Sequence, residues 1–389
     1  MAICTGCSLL CEDIELTVKD GDISHVRNLC RKGHGHYQAL LTERARPMID
    51  GKEVALDQAI AKAAEVLHSS KAPLLCGWSN ATLEAQAAGM SIAKKLGASI
   101  CDTSPPCLGA LMERIISGRI PTCTLDDVRN FADVSVFWGS DPSNSHPRHL
   151  SRFSYYPRGE KRQKSYEEER TCIAVDVRKS ATATLCSNYY FRMQPGGDGE
   201  FIESILATLD GRIPKFGDKK RMIELGTILR KAEYGVIFPG IGMLYSLQNR
   251  LELFETLLAK LNEIATFKVV PMVERFNSRG FYQLLHAPGN SLAAAAKGCD
   301  AALVVGSDPL AELPLATARA LARVPLIVID PHRSLTVDAA SVVIPSAISG
   351  MEAGGTALRT DGVKISFEPI IESDLPSDEQ ILAKILEAI

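Results

Sequence analysis

Apolar and polar residues alternate along this chain in blocks rather than singly. LDQAIAKAAEVLHSS carries apolar residues at helical spacing and predicts an amphipathic helix. APLLCGWSN is a short apolar run closed by a polar turn, the pattern of a buried strand. ATLEAQAAGMSIAKKLGA predicts a long Ala-rich helix. Further on, DVSVFWGSDP, TCIAVDVRKS, YGVIFPGIG, DAALVVGSDP and PLIVIDPHRS are each apolar runs bounded by Gly, Pro or Asp. Such runs alternating with helices predict an α/β fold of parallel strands covered by helices.

Two of these blocks repeat. Asp133 to Pro142 reads DVSVFWGSDP and Asp300 to Pro309 reads DAALVVGSDP; downstream, VDVRKSAT (Val175 to Thr182) echoes IDPHRSLT (Ile329 to Thr336). Each copy sets a Gly-Ser-Asp turn (Gly139, Ser140, Asp141; Gly306, Ser307, Asp308) beside a strand ending in Asp (Asp176; Asp330), then a basic residue (Arg178; His332) and a Thr (Thr182; Thr336). Ligands of open α/β sheets bind beyond the carboxyl ends of strands. The repetition therefore favours two related dinucleotide-binding units over two ordinary turns. Gly240, after the YGVIFP run, stands at another strand end. The charged stretch PRGEKRQKSYEEER, residues 157 to 170, is expected to be a solvated loop.

Composition narrows the class. The 389 residues are 46% apolar and 23% charged, with a net charge of −3, and this favours neither nucleic acid nor an anionic membrane surface as partner. No apolar run reaches the ~20 residues that span a bilayer, and no signal peptide is evident at the N-terminus. A cytoplasmic location is expected, where the eleven cysteines would stay reduced and clustered thiols would bind metal.

The cysteines cluster at the front. Cys4, Cys7, Cys11 and Cys30 are spaced C-x2-C-x3-C-x18-C. Structural zinc usually takes paired knuckles. Three bunched thiols and one remote thiol suit a [4Fe–4S] cluster better, with one thiolate per iron. Lys32 follows Cys30 closely, either as a surface charge or between the cluster and a second redox centre. In CDTSPPCLGA, Cys107 follows two prolines at a helix start, a setting that favours a thiolate. Cys76, Cys101, Cys172, Cys186 and Cys299 read as small buried hydrophobes. A basic string after the first Gly-Ser-Asp turn holds His146, Arg148, His149 and Arg152 and suggests a phosphate-like anion. Polar runs around Arg275, Asn277 and Arg279, and around Glu352, Thr356 and Arg359, are the remaining candidates.

The cysteine head, the C-x-K-G continuation, the two repeated halves and the lone Cys107 together resemble the molybdopterin oxidoreductases. The stretch WGSDPSNSHPRHLSRFSYYPRG resembles the B subunits of formylmethanofuran dehydrogenases. The resemblance implies a [4Fe–4S] cluster on Cys4, Cys7, Cys11 and Cys30. It also implies a bis-molybdopterin guanine dinucleotide whose tungsten or molybdenum is ligated by Cys107. Lys32 would lie between cluster and pterin, and Arg279 would be the active-site arginine. The guanine dinucleotide contacts would come from Gly139, Ser140, Asp141, His146, Asp176, Arg178, Thr182 and Gly240 in one half. In the other they would come from Gly306, Ser307, Asp308, Asp330, His332, Thr336 and Arg359.

The implied activity is reversible reduction of CO2 to formate, which passes to a partner subunit that formylates methanofuran. A stand-alone formate dehydrogenase and a non-redox subunit of a formyltransferase/hydrolase complex are the alternatives. The implied architecture is a small iron–sulfur domain (residues 1–50) with two Rossmann-like domains (51–104 with 230–345, and 105–229). A C-terminal segment (346–389) returns to the head. The C-terminal β-barrel of formate dehydrogenases is expected to be a separate D subunit. Implied partners also include an amidohydrolase-like A subunit, a C subunit, ferredoxin or polyferredoxin subunits and a heterodisulfide reductase-type complex. One position departs from the family pattern: the His that commonly follows the metal-ligating Cys is Leu108 here. His146, His149 or His286 would have to replace it in proton handling.

Overall fold

The computed structural model describes residues 2–19, 22–164, 170–287 and 291–389. The chain forms two compact units, one of residues 1–106 and 275–389 and the other of residues 107–274.

The first unit is built on a seven-stranded sheet. Its strand order is Lys52–Glu53, Met48–Ile49, Val342–Ile344, Leu326–Ile329, Ala301–Val305, Pro73–Gly77, Ser99–Asp102. The last five are parallel, and Met48–Ile49 and Lys52–Glu53 extend the edge antiparallel. Numbered along the chain, the parallel strands run 2-1-3-4-5. This is the flavodoxin-like order, whose switch point lies between Pro73–Gly77 and Ala301–Val305. Ala301–Val305 is buried at every position because helices cover both faces. Each of its Val and Leu side chains contributes roughly 1.5–3 kcal/mol by burial.

The Leu83–Leu96 helix lies against this unit. Thr82 caps it by accepting from Ala85 N–H, and Gly97 at φ 63° ends it. Its inward stripe is Ala85, Gln86, Gly89, Ile92 and Ala93, mostly small residues with one amide among them. The same unit carries the N-terminal antiparallel sheet Ala2–Cys4, Cys11–Lys19, Asp22–Arg27 and a C-terminal hairpin, Gly355–Leu358 with Lys364–Phe367. Leu10, Phe276, Ala357, Ile365 and Phe367 form one apolar cluster that fastens the hairpin to the cysteine head.

The second unit has five parallel strands: Tyr190–Arg192, Thr171–Asp176, Val134–Trp138, Tyr234–Pro239, Thr266–Val269. This is the Rossmann order without its sixth strand, 3-2-1-4-5, with its switch point between Val134–Trp138 and Tyr234–Pro239. The expected boundaries change accordingly. Residues 230–274 belong to the second unit, because Tyr234–Pro239 pairs with Val134–Trp138 and not with a strand of the first unit. The α/β class with parallel sheets stands; the Rossmann strand order holds for the second unit only.

In the charged stretch 157–170, residues 165–169 lie outside the described residues. Arg170 is buried rather than solvated. Its Nη1 donates to the carbonyls of Val128 (3.1 Å) and Ala132 (2.9 Å), at the end of the Leu125–Phe131 helix.

Candidate functional site

The cysteine head is a tight loop tied to the rest of its unit. Leu10 adopts φ 42°, and its N–H donates to the Cys7 carbonyl at 3.2 Å. Cys30 is the N-cap of the Arg31–Gln38 helix, with its Sγ accepting from Gly33 N–H at 3.3 Å. A Cβ on Gly33 would stand 3.3 Å from Cys4 Sγ and 2.7 Å from the end of the Leu29 side chain, so glycine eases the close approach of helix and thiol.

Cys4, Cys7 and Cys11 are buried and Cys30 is partly so. Burial pushes the Cys4 thiol far up, and Cys7, Cys11 and Cys30 push it further. Burial also raises the Cys7 thiol, to about 12, while the Lys32 ammonium opposes the rise. The four thiols thus lie within electrostatic reach of one another, and Lys32 within reach of Cys7. Among the described residues, no three His, Cys, Asp or Glu side chains converge on one point that a single metal ion could occupy. Three buried thiols and a partly buried fourth within electrostatic reach, a helix N-terminus capped by that fourth thiol and a nearby cation match the donor set of a cubane, in which each thiolate takes its own iron.

Thr5 Oγ1 donates to Ser349 O at 3.0 Å and accepts from His36 Nε2 at 2.7 Å. Burial and the facing His332 hold His36 down to about 4, so it is neutral at pH 7. Thr360 N–H donates to Ser8 O at 3.0 Å. The C-terminal segment is therefore bonded directly to the loop that carries the thiols.

Beside Thr360 lies a buried charge cluster. Arg359 and Asp361 are 3% and 8% exposed and form a two-point pair, Nε to Oδ1 at 2.9 Å and Nη2 to Oδ2 at 2.7 Å. Arg359 Nη1 also lies 3.8 Å from Glu12, next to Cys11. Arg279, in the Ser278–Leu285 helix, is 7% exposed; burial pulls its guanidinium down to about 10, with Asp361 opposing. Two buried arginines thus share one buried carboxylate, a field suited to an added anion.

Cys107 sits in the first turn of the Pro106–Ile116 helix, as expected. The backbone N–H groups of Cys107 and Leu108 favour its thiolate, but burial outweighs them and its pKa is raised. Burial thus works against the thiolate that the helix start would favour. Leu108 is buried.

The strand-end loops match bond for bond. Gly139 N–H donates to Val175 O (2.7 Å) and Gly306 N–H to Ile329 O (3.0 Å). Asp141 accepts from Thr182 Oγ1 (2.7 Å) and N–H (3.2 Å); Asp308 accepts from Thr336 Oγ1 (2.5 Å) and N–H (3.0 Å). These carboxylates latch neighbouring loops together, with Arg178 reaching Asp141 at 3.4 Å. Asp176 and Asp330 accept the N–H of Arg178 (3.3 Å) and His332 (2.9 Å). Burial raises both carboxyls, Asp330 to about 7.

Gly139 (φ 58°) and Gly240 meet at the second unit's switch point: a Cβ on Gly240 would fall 2.3 Å from Gly139 O. Ser140 Oγ donates to Phe238 O at 2.8 Å, and Ser307 Oγ lies 3.5 Å from Thr103 Oγ1.

The basic string behaves differently from a phosphate loop. His146 is 1% exposed, with Nε2 donating to Val273 O and Nδ1 accepting from Ser145 Oγ, both at 2.8 Å. His149 lies wholly inside against Phe137 and Phe238, and burial drives it down to about 3. Both rings serve as interior struts, and His286 is exposed. His332 Nε2 donates to Ala39 O at 3.0 Å. Arg275 pairs with Glu312, Glu352 with Arg44, and Thr356 with Glu84.

Some functional candidates escape a reading of the sequence. Asp361 is hidden in an RTDG turn. Gln86 had a signal, being the single amide in an otherwise apolar helical stripe. Cys76, Cys101, Cys172 and Cys186 are buried, as expected.

Comparison with known proteins completes the picture. No protein-family model matches the chain. It is 32% identical over 426 residues to the B subunit of tungsten-containing formylmethanofuran dehydrogenase 2 from Methanocaldococcus jannaschii, covering all of this chain and 97% of that one. It is 29% identical over 433 residues to the same-named protein of Methanococcus maripaludis, covering all of this chain and 98% of that one. Its fold is similar to a chain of the formyltransferase/hydrolase complex (FhcABCD) of Methylorubrum extorquens, solved in complex with methylofuran. That match has a TM-score of 0.67 and 23% identity, and covers 88% of this chain and 98% of the other. The chain belongs to the B-subunit family of the formylmethanofuran dehydrogenases.

Proposed function

We propose that this chain is the catalytic subunit of a formylmethanofuran dehydrogenase, reducing CO2 reversibly to formate with electrons received through a cluster in its N-terminal head. The observation that carries this reading is the Thr360–Ser8 hydrogen bond. It sets the Arg359–Asp361 turn, and with it Arg279, against the loop that holds three of the four head thiols.

Cys4, Cys7, Cys11 and Cys30 would hold a [4Fe–4S] cluster, and Cys107 would ligate tungsten or molybdenum carried by a bis-molybdopterin guanine dinucleotide. That cofactor, when bound, supplies the two-electron chemistry between CO2 and formate. The protein supplies the surroundings. The Lys32 ammonium near Cys7 offsets negative charge on the thiolates. Gly33 N–H stabilises the Cys30 sulfur. Arg279, already charged and buried, binds the substrate carboxylate through charge-assisted hydrogen bonds in a setting that excludes water. Asp176 and Asp330, recessed at matching strand ends, accept hydrogen bonds from base N–H groups of the two guanines. Formate then leaves for an amidohydrolase-like partner, and ferredoxin-type subunits supply electrons.

A second reading rests on Leu108. The family's usual His after Cys107 is absent, and the Cys107 thiol is raised by burial. Both observations suit a non-redox subunit of a formyltransferase complex. Formate oxidation by the anaerobically purified complex, with an artificial electron acceptor, separates the two. The redox reading expects turnover that Cys107→Ser abolishes. Formyl transfer with no formate-dependent acceptor reduction would establish the second reading instead.

A further inference from the structure

We propose that Asn277 is a positioning residue that fixes the direction of Arg279, an inference that rests on Arg279 binding the substrate carboxylate. Asn277 is fully buried and is the N-cap of the helix that carries Arg279 in its first turn. Asparagine at an N-cap ordinarily turns its side chain back onto the helix's own free N–H groups. Here it makes no such bond. Its amide reaches outward instead: Nδ2 donates to Ala81 O at 2.8 Å, and Oδ1 accepts from Leu358 N–H at 2.9 Å.

Its main chain is tied as well. The N–H of Asn277 donates to Ser79 O at 3.0 Å, and its carbonyl accepts from Gln86 Nε2 at 3.0 Å. One residue thus joins the turn after the Pro73–Gly77 strand, the Leu83–Leu96 helix and the C-terminal hairpin. Both arginines are reached by short covalent paths. Asn277 stands two residues before Arg279, and Leu358, which it grips, immediately precedes Arg359. A single side chain therefore sets the backbone from which each guanidinium springs.

Two independent features show that the arrangement is imposed on the chain. A Cβ on Gly280 would lie 2.2 Å from Asn277 Oδ1, so the position after Arg279 is left bare for the outward-turned amide. Gln86 Nε2 also donates to Trp78 O at 2.9 Å, and Trp78 holds φ +78°, a conformation unfavourable to a bulky residue. The Trp78 ring fills the space over Gly89, where a Cβ would meet it at 2.1 Å. Strain at Trp78 is maintained where its carbonyl anchors the amide that in turn anchors Asn277. Residues in such conformations persist only where the surroundings over-determine them, and they cluster at functional sites.

The test uses the anaerobically purified complex carrying Asn277→Ala, Asn277→Asp, Gln86→Met or Arg279→Lys in this chain. Formate KM and kcat are measured with an artificial acceptor, and the formate Kd by calorimetry without the acceptor. Asn277→Asp keeps the bond from Leu358 N–H and loses the one to Ala81 O. Gln86→Met removes one tie and leaves the Asn277 side chain intact, so it tests the network if the Asn277 variants do not assemble. The expected result is a formate KM and Kd raised by about tenfold in the Asn277 variants and less in Gln86→Met. KM should rise more than kcat falls, while the acceptor's KM and the metal content stay unchanged. A raised formate KM in Arg279→Lys alone, with the Asn277 and Gln86 variants at the parent value, overturns the positioning role and leaves the Arg279 reading standing. An unchanged KM in Arg279→Lys overturns both.

Discussion

Arg359 and Asp361 are locked in a two-point ion pair, 2.9 Å and 2.7 Å long, with side chains 4% and 0% exposed. Arg279 feels the same carboxylate. Replacing Asp361 with Asn keeps the shape and removes the buried charge that faces two cations. Loss of one member of a buried pair costs about 3–5 kcal/mol. Asp361→Asn should lower the unfolding free energy by that amount in denaturant titration; an unchanged midpoint would mean that Glu12 or an anion already balances the arginines.

On the proposed assignment, Cys7→Ser should cost the head its cluster while leaving both parallel sheets folded, because among the described residues the head loop meets its unit through bonds such as Thr5–Ser349 and Thr360–Ser8 and through the apolar cluster around Leu10. The variant complex should contain about four fewer irons per copy of this chain than the parent. Its far-ultraviolet circular dichroism should match that of the parent. Equal iron content in the two preparations would show that the four thiols bind something else.

The two strand-end latches should be energetically alike. Thr182 and Thr336 are both fully buried and each donates a hydroxyl to a carboxylate, Asp141 or Asp308. Thr182→Val and Thr336→Val should each cost about 1.5–3 kcal/mol, the range for hydrogen bonds to a charged group. Thermal unfolding of the two variants checks this. A large cost in one unit and none in the other would mean that the loops are alike in shape and not in strain.

Burial holds the proton of Asp330 to about 7 and that of Asp378 to about 6; the two carboxyls repel each other, and Arg44 opposes the rise at Asp330. Unfolded, both ionise near pH 4. Between about pH 4 and 7 the folded chain therefore binds more protons than the unfolded one, so stability falls as pH rises through that window and levels off above it. Asp330→Asn removes the Asp330 share of this uptake. It should match the parent at pH 4 and exceed it by about 1–3 kcal/mol at pH 8 when measured without cofactor. Parallel stability curves for the two proteins across the window would contradict this.

Much of the architecture is legible in the sequence because it rests on local pattern. The apolar runs ending in Gly-Ser-Asp mark true parallel strands, and the matching VDVRKSAT and IDPHRSLT segments make matching hydrogen bonds. The point at which the chain returns to the first unit is not legible. YGVIFP resembles any buried strand, and only its pairing with Val134–Trp138 shows which sheet receives it. His146, Arg148 and His149 look like an anion loop because polarity in sequence carries no sign of burial. His146 in fact satisfies its ring nitrogens inside the unit, and His149 packs edge-on against phenylalanines. Asn277 is visible as part of a polar run, but its four partners come from three distant segments. The bunching of Cys4, Cys7 and Cys11 is plain in the sequence, whereas the raised thiol of Cys107 depends on burial that no local pattern encodes.

Metal and nucleotide analysis of the anaerobically purified complex tests the redox assignment most directly. The predicted result is about one tungsten or molybdenum and about two guanine nucleotides per copy of this chain, released together on acid treatment. A folded, partner-bound complex with neither metal and no guanine nucleotide would contradict it.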